Sequence, residues 1–250
     1  MNTKLFSNEI YPEYNFSIKA LRATINPQTA VYMAMHQCYS DKPVQEPTSL
    51  SEIECGEIIV KRLLEGGKGH YSPFEQATIT IVLGYLPHSL LQQLLRSRIG
   101  LSPSIQSFRY TSLHIIEAAL GTRPIEDVIY LRPVGKYFDR DPGGYDYTPA
   151  RRERDLIHSI NVVNYVATLL NEGMPPEQAR GLLNFDYRQH GLITLNARSM
   201  MAILDRRSKK DAQIEIRILS ELIMNKFKLW MPHVGIWYEE NRYKKALLSP

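Results

Sequence analysis

From Gln76 to Leu83 the chain alternates, with Ala77, Ile79, Ile81 and Leu83 on one side and Thr78 and Thr80 on the other. A period of two over such a run predicts a strand with one dry face and one wetter face. Ile18 to Thr24 reads as a further strand, and Ile129 to Pro133 as a short one. Most of the remaining pattern is helical. Pro27 to Tyr39 carries an apolar stripe of Ala30, Val31, Ala34 and Met35. Ser51 and Glu54 have capping-box spacing, which predicts a helix to Glu65, stopped by Gly66 and Gly67. Leu113 to Leu120 reads as a further helix, and Thr148-Pro149 opens a long one to Asn171, with Gly173 as its stop. Ala212, Ile216, Leu219, Ile223, Phe227 and Trp230 recur at helical steps, and Pro232 is expected to end that helix. The basic, aromatic tail to Pro250 is expected to dock on the body or on another subunit.

Residues 41–48 and 139–149 read as loops, the second containing Asp-Pro-Gly-Gly. Tyr137, Tyr145 and Tyr147 read as packing residues. With 44% hydrophobic and 22% charged residues, the 250-residue chain is expected to form one domain with a sizeable core. No apolar run reaches the length of a membrane span, and Met1 to Ile10 lacks the apolar segment of a signal peptide, so a cytoplasmic protein is expected. Cys38 and Cys55 lack metal or redox spacing and read as thiols in a reducing compartment; no metal site is expected. A formal charge of +4 suits anionic nucleotide ligands as well as it suits nucleic acid.

The chemistry concentrates between Gln93 and Tyr110. A helix from Ser89 to Leu95 closes on Arg96 and Arg98. A Ser-, Gly- and Pro-rich loop then ends in Gln106, Ser107, Arg109 and Tyr110. Arginines beside hydroxyls and free N–H groups can cradle a phosphate and a planar heterocycle. On spacing alone the plainer reading is favoured, a solvated helix end whose arginines complement the dipole.

The order of these residues resembles the flavin-dependent thymidylate synthases. That family writes Gln-x-x-Arg-His-Arg, a short loop, then Ser-x-Arg-Tyr; Gln93, Arg96, Arg98, Ser107, Arg109 and Tyr110 match, and Ser97 stands at the His position. Two distant stretches extend the resemblance. Gly69-His70-Tyr71-Ser72-Pro73-Phe74-Glu75 is similar to the family's flavin-bordering Gly-His segment, with Gln76 in place of its closing His. Asn196-Ala197-Arg198-Ser199 matches its Asn-Ala-Arg-Ser, and Arg180 in Pro-Pro-Glu-Gln-Ala-Arg, then Arg207, Asp211 and Gln213, fall at family spacing.

The resemblance implies an α+β fold, a small mixed or antiparallel sheet flanked by helices, assembled as a homotetramer. It implies methylation of dUMP to dTMP, with 5,10-methylenetetrahydrofolate as carbon donor and NADPH-reduced FAD as hydride source. Gln93, Arg96, Gln106, Ser107, Arg109, Arg180 and Arg207 would hold dUMP. Arg207 would reach the imide edge, and Ser107 would orient the base; these two are the catalytic residues it implies. Ser40, His70, Ser72, Glu75, Arg96, Ser97, Arg98, Ile99, Asn196, Arg198 and Ala202 would hold FAD. Family members commonly carry a polar residue at the position of Ala202, and many an acidic one at that of Ile105. Serine for histidine at 97 predicts weaker flavin retention without loss of dUMP binding. Two other readings stand beside the enzyme. One is a non-catalytic nucleotide- or flavin-binding relative. The other is a nucleic-acid-binding protein, which the scattered basic residues support poorly. Neither a Rossmann glycine fingerprint nor a P-loop is present.

Overall fold

The computed structural model describes residues 3–44, 48–67, 69–138 and 143–245. Strands β1 (Glu9–Tyr11) and β2 (Phe16–Ala23) open the chain. Helices α1 (Pro27–Tyr39) and α2 (Glu52–Ile59) follow, then β3 (Thr78–Pro87), α3 (His88–Leu95) and β4 (Leu101–Ile105). Next come α4 (Phe108–Thr111), α5 (Leu113–Ala119), the hairpin β5 (Gly135–Tyr137) and β6 (Tyr145–Tyr147), and α6 (Pro149–Asn171). The chain closes with α7 (Pro176–Ala179), β7 (Arg188–Asn196), α8 (Ala197–Arg207), α9 (Ile214–Trp230) and α10 (Pro232–Asn241). The main sheet runs in the order β1-β2-β3-β7-β4, with every pairing antiparallel. The class is α+β.

The expected alternation forms the sheet centre. Ile79, Ile81 and Leu83 of β3 are buried together with Phe16, Ile18 and Ala20 of β2 and Ile193 and Leu195 of β7. The apolar face of α9 covers them, through Ile216, Leu219, Ile223 and Phe227. On the wetter face Thr80 and Thr194 sit opposite one another, their hydroxyls 2.9 Å apart. The capping box at Ser51 forms, with Glu54 N–H donating to Ser51 Oγ at 3.3 Å and Ser51 N–H to Glu54 Oε2 at 2.8 Å. Beyond Ile59 the helix widens into a π-turn over Val60–Leu64 and ends at Gly66 and Gly67, both at positive φ. Glu52 also ties α2 to α1, accepting the N–H groups of Gln28 and Thr29 at the helix start.

Four expectations change. Residues 101–105, expected as loop, form edge strand β4; an edge tolerates Pro103 because its missing N–H would face away from the sheet. Ile129 to Pro133 is not a strand but a single bridge from Ile129 to Tyr187. Pro232 does not simply stop a helix. It opens α10 at its first turn, where a missing N–H costs nothing. Tyr145–Tyr147, expected as loop, form β6; residues 139–142 of that expected loop, and 246–250 of the tail, lie outside the described residues.

The tail docks on the body. Asp205 of α8 is buried and accepts from Tyr238 Oη and Arg242 Nη2, both at 2.6 Å. Removing one member of a buried pair strands the other. Asp205→Ala is expected to lose about 3–5 kcal/mol in urea unfolding; a loss under about 1 kcal/mol, the scale of an exposed pair, would show that this contact does not hold α10.

Candidate active site

Helix α3 presents Gln93 on its last turn and Arg96 at its C-cap. The end of α8 brings Arg206 and Arg207, and the turn before α9 brings Asp211 and Gln213. These side chains, with Arg132 and Ala212, line a cleft of about 670 Å³. Gln93 clasps the parts together. Its amide nitrogen donates to Gln213 Oε1, and its backbone carbonyl accepts Arg207 Nη2 at 2.5 Å. Arg207 Nε is buried and has no partner among the described residues. Burial, then the charges of Arg206 and Arg96, pull the Arg207 pKa down, although a guanidinium stays charged in proteins. The cleft therefore holds Arg96, Arg206 and Arg207 without an ion pair among the described residues, although Asp211 also lines it. Arg132 is the exception, paired to buried Glu215 at 2.6 Å, which also accepts Tyr130 Oη at 2.9 Å.

A second set of residues surrounds the start of α8. Asn196 caps this helix, its Oδ1 accepting Ser199 N–H at 2.8 Å. Gly100, at φ 64°, packs so closely that a Cβ there would lie 2.0 Å from Ser199 Oγ. The Arg96–Gly100 turn thus abuts the Asn196–Ser199 segment through backbone that only glycine allows. Arg98 and Ile99 point outward, Ile99 being 89% exposed. On the other side, the turn Ser72–Gln76 is anchored by buried Pro73 and Phe74, and its Glu75 pairs with Arg198 at 2.7 Å. His70 Nδ1 lies 2.9 Å from Tyr39 Oη, at the end of α1 next to Ser40. Ser40 Oγ donates to Lys42 O at 2.7 Å. The three distant stretches of sequence are thereby linked within one chain.

Gln106, Ser107, Arg109 and Arg180 do not line this cleft. Gln106 is engaged with β7, its Oε1 accepting His190 N–H at 3.1 Å and its carbonyl accepting Gln189 Nε2 at 2.8 Å. Ser107 precedes α4, and Arg109 is exposed, 5.5 Å over the ring of Tyr110. Helix α4 packs on α7, which ends at Arg180, and Phe108 and Ala179 share a small apolar cluster separate from the main core. The expected dUMP residues thus fall into two groups: Gln93, Arg96 and Arg207 in the cleft, and Ser107, Arg109 and Arg180 beside the small cluster. Sequence reasoning missed Arg132 and Arg206 as cleft residues. Arg206 adjoins Arg207, a signal that could have found it; Arg132 is placed by Glu215, 83 positions away, and carries no local signal.

Comparison with known proteins identifies the family. The family model described as thymidylate synthase complementing protein matches residues 20–233. The flavin-dependent thymidylate synthase of Halobacterium salinarum is 30% identical over 93% of this chain and 99% of its own, and that of Haloarcula marismortui 28% identical with the same coverage. The chain belongs to the flavin-dependent thymidylate synthase family. Among solved structures, the Helicobacter pylori enzyme ThyX complexed with FAD and dUMP superposes with a TM-score of 0.63 at 19% identity, covering 84% of this chain and 92% of that one. The UMP/dUMP methylase PolB of Streptomyces cacaoi, bound with 5-Br dUMP, gives 0.69 at 17% identity, covering 95% and 99%.

Within this thymidylate synthase family member, Ser97 has an unexpected place. Its side chain is turned inward, 1% exposed, and its hydroxyl is buried without a partner among the described residues. It touches no open surface, so histidine there would have to enter packed space or turn the loop out. Ala202, the other departure, is half-buried, and its carbonyl accepts Arg206 Nε at 3.1 Å. An orphan buried hydroxyl is a net cost. Ser97→Ala is expected to unfold at or above the wild-type temperature, and Ser97→His to lose about 1–3 kcal/mol. A clear drop in melting temperature for the alanine variant would show that the hydroxyl has a partner in solution.

Proposed function

We propose that this chain methylates C5 of dUMP to give dTMP, using FAD, 5,10-methylenetetrahydrofolate and NADPH, in the cytoplasm. The single observation that carries the reading is the clasp of Gln93, Arg207 and Gln213 in a cationic cleft joined through Gly100 to the start of α8. Uracil presents a planar imide edge and dUMP a dianionic phosphate. Arg207, whose guanidinium lines the cleft, is suited to the imide, where it stabilises negative charge on N3 and O2 as C5 becomes nucleophilic. Arg96 and Gln93 position the nucleotide beside it. Neither cysteine lines the cleft, and burial pushes the Cys55 thiol pKa up, so attack on the base by a protein thiolate is not the route.

The residues around α8 suit a flavin. A helix N-terminus, the exposed Arg98 and the half-buried Arg198 match a pyrophosphate, and Ser40, His70 and Ser72 add polar contacts. When bound, FAD supplies the hydride that completes the methyl group, having been reduced by NADPH. Glu75 holds Arg198 in place until an anion competes for it.

Ser107, Arg109 and Arg180 enter the reading through self-association. They lie together but outside the cleft, so a neighbouring copy of the chain would supply them to the phosphate, as a homotetramer allows.

The deciding experiment is dTMP formation from dUMP, methylenetetrahydrofolate, FAD and NADPH by the purified protein; flavin and dUMP binding without product would favour the non-catalytic relative. Arg207→Lys is expected to lower kcat about 100- to 1,000-fold with flavin absorbance retained. A change below about threefold would remove Arg207 from the chemistry.

A further inference from the structure

Among the described residues, Arg132 is the cleft arginine that carries an ion pair. Its Nε donates to Glu215 Oε1 at 2.6 Å and its Nη2 to Oε2 at 3.2 Å. Glu215 is 1% exposed, lies in the first turn of α9 and also accepts Tyr130 Oη at 2.9 Å. The guanidinium sits 4.9 Å over the ring of Tyr137, and the Arg132 carbonyl accepts Arg152 Nε at 3.1 Å. Held by a carboxylate, a ring and its own backbone, this side chain is fixed before any ligand arrives. It belongs to a partition. Beyond the cleft lies a second cavity of about 350 Å³, walled by Tyr137, Tyr145 and Tyr147, and Arg132 and Gln213 line both spaces.

Pairing changes what Arg132 offers to a ligand. Arg96, Arg206 and Arg207 draw an anion into the cleft. A guanidinium matched by a carboxylate adds little net charge, yet it still has N–H donors beyond the edge that the carboxylate takes. Such a group suits a neutral oxygen. Asp211, on the same lining, can only accept when ionised, and it would repel a phosphate. A hydroxyl both accepts and donates, so it matches an arginine donor and a carboxylate acceptor together. With the phosphate and the imide edge of dUMP taken by other arginines, the group left is the 3′-hydroxyl of the deoxyribose.

We propose that Arg132 binds the sugar 3′-hydroxyl of the nucleotide, with Glu215 as its positioning residue, an inference that rests on the cleft being the dUMP site. The sugar then becomes a third point of attachment, between the imide and the phosphate. Fixing it limits rotation of the base and so holds C5 in one orientation. Glu215 touches no ligand and acts only through Arg132.

The test is calorimetric titration of the flavin-loaded protein with dUMP and with 2′,3′-dideoxyuridine 5′-monophosphate, which lacks only that hydroxyl. Wild type is expected to bind dUMP about tenfold more tightly. The double variant Arg132→Met with Glu215→Gln removes both charges and strands neither, so it is expected to fold and to bind the two nucleotides within about twofold. Glu215→Gln alone keeps the arginine but loosens its hold, and the preference is expected to fall to about threefold. Arg207→Lys is expected to weaken both nucleotides and keep the preference near about tenfold. A full preference that survives in the double variant, with dTMP formed by wild type, makes the pair purely structural and overturns the proposal while the methylase reading stands. Wild type binding both nucleotides equally overturns it in the same way, with no variant needed. A full preference in Glu215→Gln, lost in the double variant, overturns the role of Glu215. A wild-type protein that binds neither nucleotide and forms no dTMP overturns the methylase reading as well.

Discussion

The backbone carbonyl of Gln93 is the point on which the site depends. It sits on the last turn of α3, where a helix leaves its final carbonyls without internal partners. Arg207, at the C-terminal end of α8, fills that vacancy with Nη2 at 2.5 Å. The same residue's side-chain amide then reaches Gln213 at the mouth of α9. One glutamine thus joins three helices, and the cationic cleft is the space they leave between them. Helix ends usually satisfy their carbonyls locally or with water. Here an arginine does so, and this fixes its guanidinium on the cleft wall, with one buried nitrogen still uncommitted.

Gly100 makes the complementary constraint. Its positive φ and its contact with Ser199 allow the turn after Arg96 to lie against the start of α8. The turn then continues directly into β4, which pairs with β7, the strand that runs into α8. The arginine-bearing turn and the Asn196 cap therefore lie at the same end of one pair of strands, where Leu101 pairs with Leu195. Arg98 and Ile99, on the outer side of the turn, are presented to solvent, while Ser97, on its inner side, is buried. Ser97 is thus part of the packing and not of the cleft lining.

What was legible in the sequence had a local cause. The alternation at Ile79, Ile81 and Leu83, the Ser51–Glu54 box, the Thr148 cap and the stripe through Ile216 and Phe227 each act within a few residues, and each forms. What was not legible depended on partners far along the chain. Leu101 to Ile105 contains too much serine and proline to read as a strand, and β7 makes it one. Ile129 to Pro133 has strand-like residues but finds only Tyr187 to pair with. In the site, the three resembling stretches do meet, whereas Arg132 is placed by an ion pair to Glu215 that no local pattern announces. Arg180 and Arg109 also match the resemblance, yet the fold sets them beside α4 and α7, on a face that the cleft does not include.

The Arg132–Glu215 pair gives the region its electrostatic division. On one side Arg96, Arg206 and Arg207 outnumber Asp211 on the cleft lining; on the other Asp155 and Asp186 line the tyrosine-walled cavity. Glu215 is buried, and both of its oxygens are taken, Oε1 by Arg132 Nε and Tyr130 Oη and Oε2 by Arg132 Nη2. With Glu215 buried and fully bonded to it, the half-buried Arg132 is neutralised where it lines both spaces, so the pair separates the two fields and adds little to either. The two compartments therefore differ in the charge of their linings, with Gln213 the neutral group common to both.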